Sequence, residues 1–357
     1  MNYIYTISVF IVCFCSCQKA SKHNFYSSQN DVELYLNKSF NINDDGLARI
    51  ENIQCNDSEL LVFDYHSGNS FSLFDTETGK YIGRFGGIGQ GPEEIPLGCM
   101  GNLIKNKFYI YAPSTGLVAS YCMDSLRKDI KTGVKRLTKI EMPFSMVHFA
   151  KVIPINDSTF LGAGLYASQY QYVLFDNKNK IIDYNIEVYN AHDNSFHTAH
   201  KMITSSGTLR KHPNITRFAY FVRNSSNLDF FEVVENKIIP VRLVRDMNPV
   251  STPHTNGSIA TVRPTLDSPI GYLALTVGEK YVYALHTDKE VTNAYSSNKI
   301  RVFDWNGNFI RHYILDQQAY YICVNEADGR LYAAVKNKES GWSIVEYRTD
   351  SCESVLN

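Results

Sequence analysis

The sequence predicts an all-β protein, a six-bladed β-propeller of four-stranded antiparallel blades whose ring is closed by an N-terminal strand. Three observations carry this expectation. Short apolar runs alternate with turn residues, one phrase of this kind returns at intervals of about 50 residues, and aromatic residues make up 13% of the chain. Rings pack well on pleated surfaces, which favours sheet over helix. A period of about 40 to 50 residues with several strands per unit marks a propeller, and about 300 residues divided by it gives six units.

The first unit is the plainest. Leu60-Leu61-Val62-Phe63-Asp64 reads as a strand, His66-Ser67-Gly68-Asn69 as a turn, and Phe71-Ser72-Leu73-Phe74-Asp75 as the next strand. Thr76 to Lys80 reverses the chain, and Tyr81-Ile82-Gly83-Arg84-Phe85 adds a third strand, as in a short meander. The phrase returns at Val302-Phe303-Asp304, where Asn306-Gly307 supplies a hairpin turn, and more loosely from Tyr172 to Ile182, with Asn177 and Asn179 in the turn. Weaker copies lie at Phe108 to Asp124, Arg217 to Val244 and Leu331 to Tyr347. Asp75, Asp124 and Asp176 fall about 50 residues apart, and the longer gap before Asp304 implies an insertion. Carboxylates at such strand ends, Asp64 among them, are expected to accept hydrogen bonds from turn amides. Because one blade cannot bury its own faces, the units must pack in a ring. Asp31 to Phe40, with Val32, Leu34 and Leu36 alternating, is the segment expected to lie beside the last blade at Tyr320 to Arg348.

One stretch departs from the strand pattern. Between Met123 and Ile140, Leu126, Ile130, Val134, Leu137 and Ile140 recur at helical intervals, with Arg127, Lys128, Lys131, Lys135, Arg136 and Lys139 among them. It reads either as a solvated connection between blades or as a basic amphipathic helix lying on an anionic membrane.

At the N-terminus, Ile4 to Cys17 is apolar and small, and shorter than the roughly 20 residues a spanning helix needs. It reads as a signal-peptide core. Phe14-Cys15-Ser16-Cys17 resembles the lipobox of bacterial lipoproteins, which implies acylation of Cys17. The expected organisation is a signal peptide at 1–16, a lipidated Cys17 with a flexible tether at 17–30, and a single propeller domain at 31–357. Cys13 and Cys15 are alternative anchors, and an ordinary cleaved signal or an uncleaved anchor is the alternative reading. Five cysteines follow, Cys55, Cys99, Cys122, Cys323 and Cys352. An odd number cannot all pair, and the absence of C-x-x-C argues against a zinc knuckle or redox pair. Buried apolar roles are expected for most of them, with one disulfide open in an oxidising compartment. The balance of 35 basic against 36 acidic residues leaves no basic field for nucleic acid.

The Cys17 signal, the strand pair from Leu60 to Asp75 and the run G-R-F-G-G-I-G-Q-G-P-E-E from Gly83 to Glu94 together resemble the TolB-like six-bladed propeller lipoproteins of Gram-negative bacteria. The last blade, Ala327 to Tyr347, shares the likeness. The resemblance implies a propeller moored by lipid at the outer membrane. Gln18-Lys19-Ala20-Ser21-Lys22 carries none of the acidic residues that accompany surface display, so a periplasm-facing position is expected. A shared fold does not carry an activity with it.

Gly86, Gly87, Gly89 and Gly91 crowd together after a strand, but Pro92 follows at once and no G-K-[ST] appears, so a nucleotide loop is not expected. The glycines suit a tight crossing between blades with positive φ. Arg84, Gln90, Glu93 and Glu94 on that crossing are candidate channel-mouth binding residues. His192, His197 and His200, with His212 further on, are weak metal candidates whose spacing matches no known motif, and no cofactor is expected. Neither G-x-S-x-G nor H-E-x-x-H occurs. The expected function is a non-enzymatic, membrane-anchored binding or scaffold module with an envelope protein, peptide or glycan as partner. The alternative is a metal-dependent, calcium-type propeller hydrolase or lactonase, whose sign would be three or more carboxylates or amides converging on the axis.

Overall fold

The computed structural model describes residues 31–349 except 41, 43–46, 48, 65–67, 141–148, 165–168, 179, 189–200, 202–203, 224, 246–250, 257–258, 265–269, 288–294 and 338–340. Cys17, His192, His197, His200 and Cys352 lie outside the described residues.

Two strands, β1 (Asp31–Leu34) and β2 (Leu36–Phe40), open the described chain. Blade 1 follows as β3 (Asn52–Cys55), β4 (Glu59–Phe63), β5 (Asn69–Asp75) and β6 (Tyr81–Gly87). Blade 2 is β7 (Met100–Ile104), β8 (Lys107–Ala112), β9 (Leu117–Cys122) and β10 (Thr138–Ile140), with helices α1 (Met123–Lys128) and α2 (Ile130–Val134) inserted before its last strand. Blade 3 is β11 (Lys151–Pro154), β12 (Thr159–Ala163), β13 (Tyr170–Asp176) and β14 (Ile181–Glu187). Blade 4 is β15 (Gly207–Lys211), β16 (Arg217–Val222), β17 (Asn227–Val234) and β18 (Lys237–Arg245). A separate hairpin, β19 (Ser251–Asn256) with β20 (Ile259–Pro264), accounts for the insertion expected before Asp304.

Blades 5 and 6 share a strand. Blade 5 is β21 (Tyr272–Val277), β22 (Tyr281–His286), β23 (Ser297–Asp304) and the first part of the 17-residue strand β24 (Phe309–Asn325), whose second part is the innermost strand of blade 6. Blade 6 continues with β25 (Arg330–Asn337) and β26 (Gly341–Arg348). The N-terminal segment closes the ring at two places. Strand β2 pairs antiparallel with β26 and completes blade 6, while β1 pairs in parallel with 312–315 of β24 and adds an edge to blade 5.

Each blade buries both faces against its neighbours. Six buried clusters fill the six seams, which explains why β4 reads as an unbroken apolar run. Its Leu61 and Phe63 face blade 2, and its Leu60 and Val62 face blade 6. In the first of these seams, Phe108 sits edge-on to Phe63 at 5.6 Å and to Phe71 at 4.8 Å, the geometry that aromatic quadrupoles favour.

At Asp75, Asp176 and Asp304 the turns bear out the chemistry expected of strand-end aspartates. Asp75 Oδ1 accepts from the amide of Thr78, Asp176 Oδ1 from those of Lys178 and Lys180, and Asp304 Oδ1 from those of Asn306 and Asn308. Asp124 belongs instead to the first turn of α1. A second echo went unread in the sequence: Asn56-Asp57-Ser58 and Asn156-Asp157-Ser158 occupy the same place in blades 1 and 3. In both, the asparagine Oδ1 accepts from the amides two and three residues on, locking the turn between the first two strands of the blade.

The basic amphipathic stretch is neither a membrane helix nor a link between blades. It is an insertion within blade 2, broken at Asp129, which adopts extended backbone and caps α2 by accepting from the amides of Lys131 and Thr132. Its apolar side is covered: Leu126 is buried in the seam of blades 1 and 2, and Ile130, Val134 and Leu137 pack against it. Ile130 lies over Gly83, where an added Cβ would come within 2.7 Å. Arg127 turns back to Glu59 at 3.6 Å and Asp75 at 3.4 Å.

Three histidines tie neighbouring elements together. His212 Nε2 meets the Glu279 carbonyl at 3.0 Å, His286 Nε2 meets Ser226 Oγ at 3.3 Å, and His312 Nδ1 meets Asp31 Oδ1 at 2.7 Å. Burial lowers all three below the usual 6.5, and the Asp31 carboxylate only partly offsets it at His312. Below pH 6.5 the unfolded chain therefore binds more protons than the folded one, so stability falls as pH drops. Each group contributes a loss of up to about 1.4 kcal/mol per pH unit until its folded pKa is reached. Glu59, raised by burial, acts in the opposite sense, but it is one group against three. The thermal midpoint is expected to be lower at pH 5.5 than at pH 7.5; a flat or rising profile would contradict this account.

Candidate functional site

The innermost strands β3, β7, β11, β15, β21 and the second part of β24 surround the axis, and two cavities open along it. One, of about 630 Å³, lies among the turns that follow the innermost strands, lined by Asp57, Lys105, Asn214, Glu279 and Glu326 among others. The second, of about 810 Å³, is lined where those strands begin and takes residues from all six blades, including Asn52, Asn102, Lys151, Arg210, Leu275 and Tyr321.

Arg210 lines the larger one. It lies on β15 of blade 4, yet its Nε donates to the Leu275 carbonyl of blade 5 at 3.0 Å and its Nη1 to Asn102 Oδ1 of blade 2 at 3.0 Å. A guanidinium anchored to the next blade and to one two places round the ring is held at the axis by its fixed fork of donors. Gln54 supports the same level, donating to the Gly101 carbonyl at 2.7 Å and accepting from the Leu103 amide at 2.6 Å.

Two further cations share the larger cavity, Lys151 at the start of β11 and Arg223 just after β16. Burial lowers Arg210 to about 10. Lys151 is lowered to about 8, first by burial and then by repulsion from Arg210 and Arg223. Among the described residues Glu51 is the one carboxylate lining this cavity, and it pairs with Arg49 at 2.8 Å. Among the described residues neither Arg210 nor Arg223 is joined to a carboxylate. Like charges gathered in a cleft, with Lys151 and Arg210 lowered by burial, mark this cavity as the candidate site.

The carboxylates of the smaller cavity are differently placed. Glu326 accepts from the amides of Lys280 at 2.6 Å and Tyr281 at 3.0 Å, and Asp124 accepts from Asn106 Nδ2 at 2.6 Å. Among the described residues no group of three or more His, Cys, Asp or Glu could hold a metal ion.

A family model described as TolB-like 6-blade propeller-like matches residues 50–327, from the approach to blade 1 into blade 6. The chain belongs to the TolB-like six-bladed propeller family. Among solved structures, it is similar to a candidate exported protein of Bacteroides fragilis, at 14% identity and a TM-score of 0.48, covering 89% of this chain and 98% of that one. It is also similar to the computationally designed Ika8 protein, at 10% identity and a TM-score of 0.42, covering 88% and 99%. No curated protein matches the chain.

In this TolB-like propeller, the crossing from Gly83 to Glu94 does not bring its polar residues to either cavity. Arg84 lies on β6, the outermost strand of blade 1, opposite Ser72. Gln90, Glu93 and Glu94 follow in a compact loop in which Glu94 Oε2 accepts from the Gly91 amide at 2.8 Å. That carboxylate explains one glycine: a Cβ on Gly89 would run into it. Positive φ is needed at Gly86, where a Cβ would also strike Phe71, and again at Gly98, where the chain at last reaches the channel. His212 has a structural role, its ring meeting Trp305 at 4.8 Å while Nδ1 accepts from the Asn214 and Ile215 amides. Lys151, Arg210 and Arg223 went unread in the sequence. The one signal was a charged residue within or beside a short, partly apolar strand.

Proposed function

We propose that this chain is a lipid-tethered binding module of the bacterial cell envelope that receives an anionic group of its ligand in the larger axial cavity, on Lys151, Arg210 and Arg223. The tether is acylated Cys17, reached through residues 17–30, on the periplasmic side of the outer membrane. Support for the address comes from the signal-like N-terminus and its lipobox-like end. The observation that carries the binding site is the gathering of three cations at one end of the channel, with Arg210 held at the axis by backbone and amide oxygens. Their mutual repulsion costs stability, and a bound carboxylate, phosphate or sulfate removes that cost. The partner is then an envelope peptide, protein or glycan that presents such a group. A calcium-type hydrolase needs carboxylates converging on the axis, whereas this cavity presents cations there.

Inorganic pyrophosphate and citrate are suitable probes in a titration followed by calorimetry and thermal shift. Wild-type protein is expected to bind one or both and to gain thermal stability, and affinity is expected to fall as pH rises through about 8, where Lys151 loses its charge. Lys151→Met is expected to raise the ligand-free midpoint while weakening the anion about tenfold or more, the trade between stability and function expected of a strained site. A wild type indifferent to both anions, or a Lys151→Met, Arg210→Met variant that still responds, would remove the proposal.

A further inference from the structure

Cys55 and Cys323 lie on facing sides of the seam that closes the ring. Cys55 ends β3, the innermost strand of blade 1, and Cys323 lies in β24, where that strand is innermost in blade 6. Alternation along each strand sets which side a residue faces. On β3, Ile53 and Cys55 pack toward blade 6 while Gln54 reaches blade 2. On β24, Cys323 packs toward blade 1 while Ile322 and Val324 pack toward blade 5, and Tyr321 touches both clusters. The heights also agree. Tyr321 and Glu51 line the same cavity, and further along the same two segments Asn325 Nδ2 donates to the Asp57 carbonyl at 3.4 Å, so Cys323 comes level with the end of β3. Both are free thiols in this structure, and Cys55 packs against the same buried cluster that holds Cys323 and Tyr332.

We infer that Cys55 and Cys323 form a disulfide that staples blade 1 to blade 6 in the exported protein. The inference rests on the export reading, because such a bond persists only in an oxidising compartment. The two thiols lose two protons and two electrons, the S–S bond forms, and the electrons reduce the disulfide of an envelope thiol oxidant to its dithiol. Burial pushes the Cys323 thiol well above 9, so the bond is made as the chain folds, before the ring shuts over it. The other described cysteines are placed elsewhere. Cys99 lies in the seam of blades 1 and 2 with its Sγ at 2.7 Å from the Pro96 carbonyl, and Cys122 ends β9 at the start of α1.

The bond would do what no peptide link does here. Within the ring, each blade is covalently continuous with the next, but β24, β25 and β26 are held to β2, and through it to blade 1, by pairing and packing alone. Opening of the ring at that point is the motion a Cys55–Cys323 bond prevents.

Two arms test this. In the first, full-length protein is reduced, unfolded and refolded in detergent with a glutathione redox buffer, then alkylated and mapped by mass spectrometry. The expected result is one linked Cys55–Cys323 peptide with Cys99 and Cys122 alkylated, and a midpoint lowered by about 10 °C on reduction or in Cys55→Ser. In the second, envelope membranes are alkylated directly at harvest and mapped in the same way. A linked peptide in both arms supports the inference. Linkage on refolding with free thiols in cells overturns the native bond, and the export reading falls with it only where the protein is absent from the envelope fraction. Protein found in the envelope fraction with free thiols, and no linkage on refolding, overturns the bond while leaving export standing.

Discussion

Deleting residues 31–40 is expected to abolish the folded state rather than trim it. Phe40 is 3% exposed and meets the Tyr332 ring at 5.8 Å, and Leu34 is 2% exposed within the seam of blades 5 and 6. The segment is also held by polar contacts across the closure. The Leu36 amide donates to Asp316 Oδ2 at 3.0 Å, Asn37 Nδ2 donates to Glu346 Oε1 at 2.7 Å, and Asp31 pairs with His312. Without β2, strand β26 becomes a free edge whose unpaired amides and carbonyls invite association with other chains. The milder change Phe40→Ala is expected to cost about 3–5 kcal/mol, through the lost transfer energy and the cavity it leaves. Because β2 runs antiparallel to β26, the same strand can be supplied from the other end. Residues 36–40 joined behind 349 through a short turn are expected to restore much of a cooperative melt to the truncated chain. A truncated protein that melts as the wild type does would show that closure does not hold the ring.

Asp229→Ala is expected to be the most damaging change at a single polar residue. Asp229 is 2% exposed in the seam of blades 3 and 4, where Tyr172 donates its hydroxyl to Oδ2 at 2.7 Å and Arg245 pairs with Oδ1. Burial and the Asp229 charge push the Tyr172 hydroxyl well above 10, so it stays a donor. Removing the carboxylate leaves the buried Tyr172 hydroxyl without its acceptor and the partly exposed Arg245 without its partner, and an unsatisfied buried polar group costs about 1–3 kcal/mol. For a domain of this size each kcal/mol moves the midpoint by roughly 2–4 °C. The double change Asp229→Leu, Arg245→Met is expected to be milder than Asp229→Ala, because no charge is left unpaired. Equal midpoints for wild type and Asp229→Ala would sink the argument.

Much of the fold was legible because blades repeat. The apolar alternation of β5 and the aspartates closing β5, β13 and β23 state the module, and the Asn-Asp-Ser turns of blades 1 and 3 restate it. The helical interval in blade 2 was legible too, but not its break at Asp129, nor its burial against Gly83, a residue some 50 positions earlier. That β24 runs on through two blades was not legible, because nothing in its sequence says that its halves pair into different blades. That the Gly83 to Glu94 crossing does not reach the two axial cavities was not legible for a related reason. Arg84 and Arg210 both sit in alternating strands, and alternation does not distinguish the outermost strand of a blade from the innermost.

The sequence by itself determined the strands, their turns and the need to stack in a ring, because period-two patterning and side-chain acceptors at turns act over a few residues. Tertiary structure alone decided which strands face the axis, and so which charges meet. Lys151, Arg210 and Arg223 come from two blades, and Cys55 and Cys323 from opposite ends of the chain. Ring closure brings each set together, since a contact between distant segments is settled by how whole blades pack and leaves no local mark.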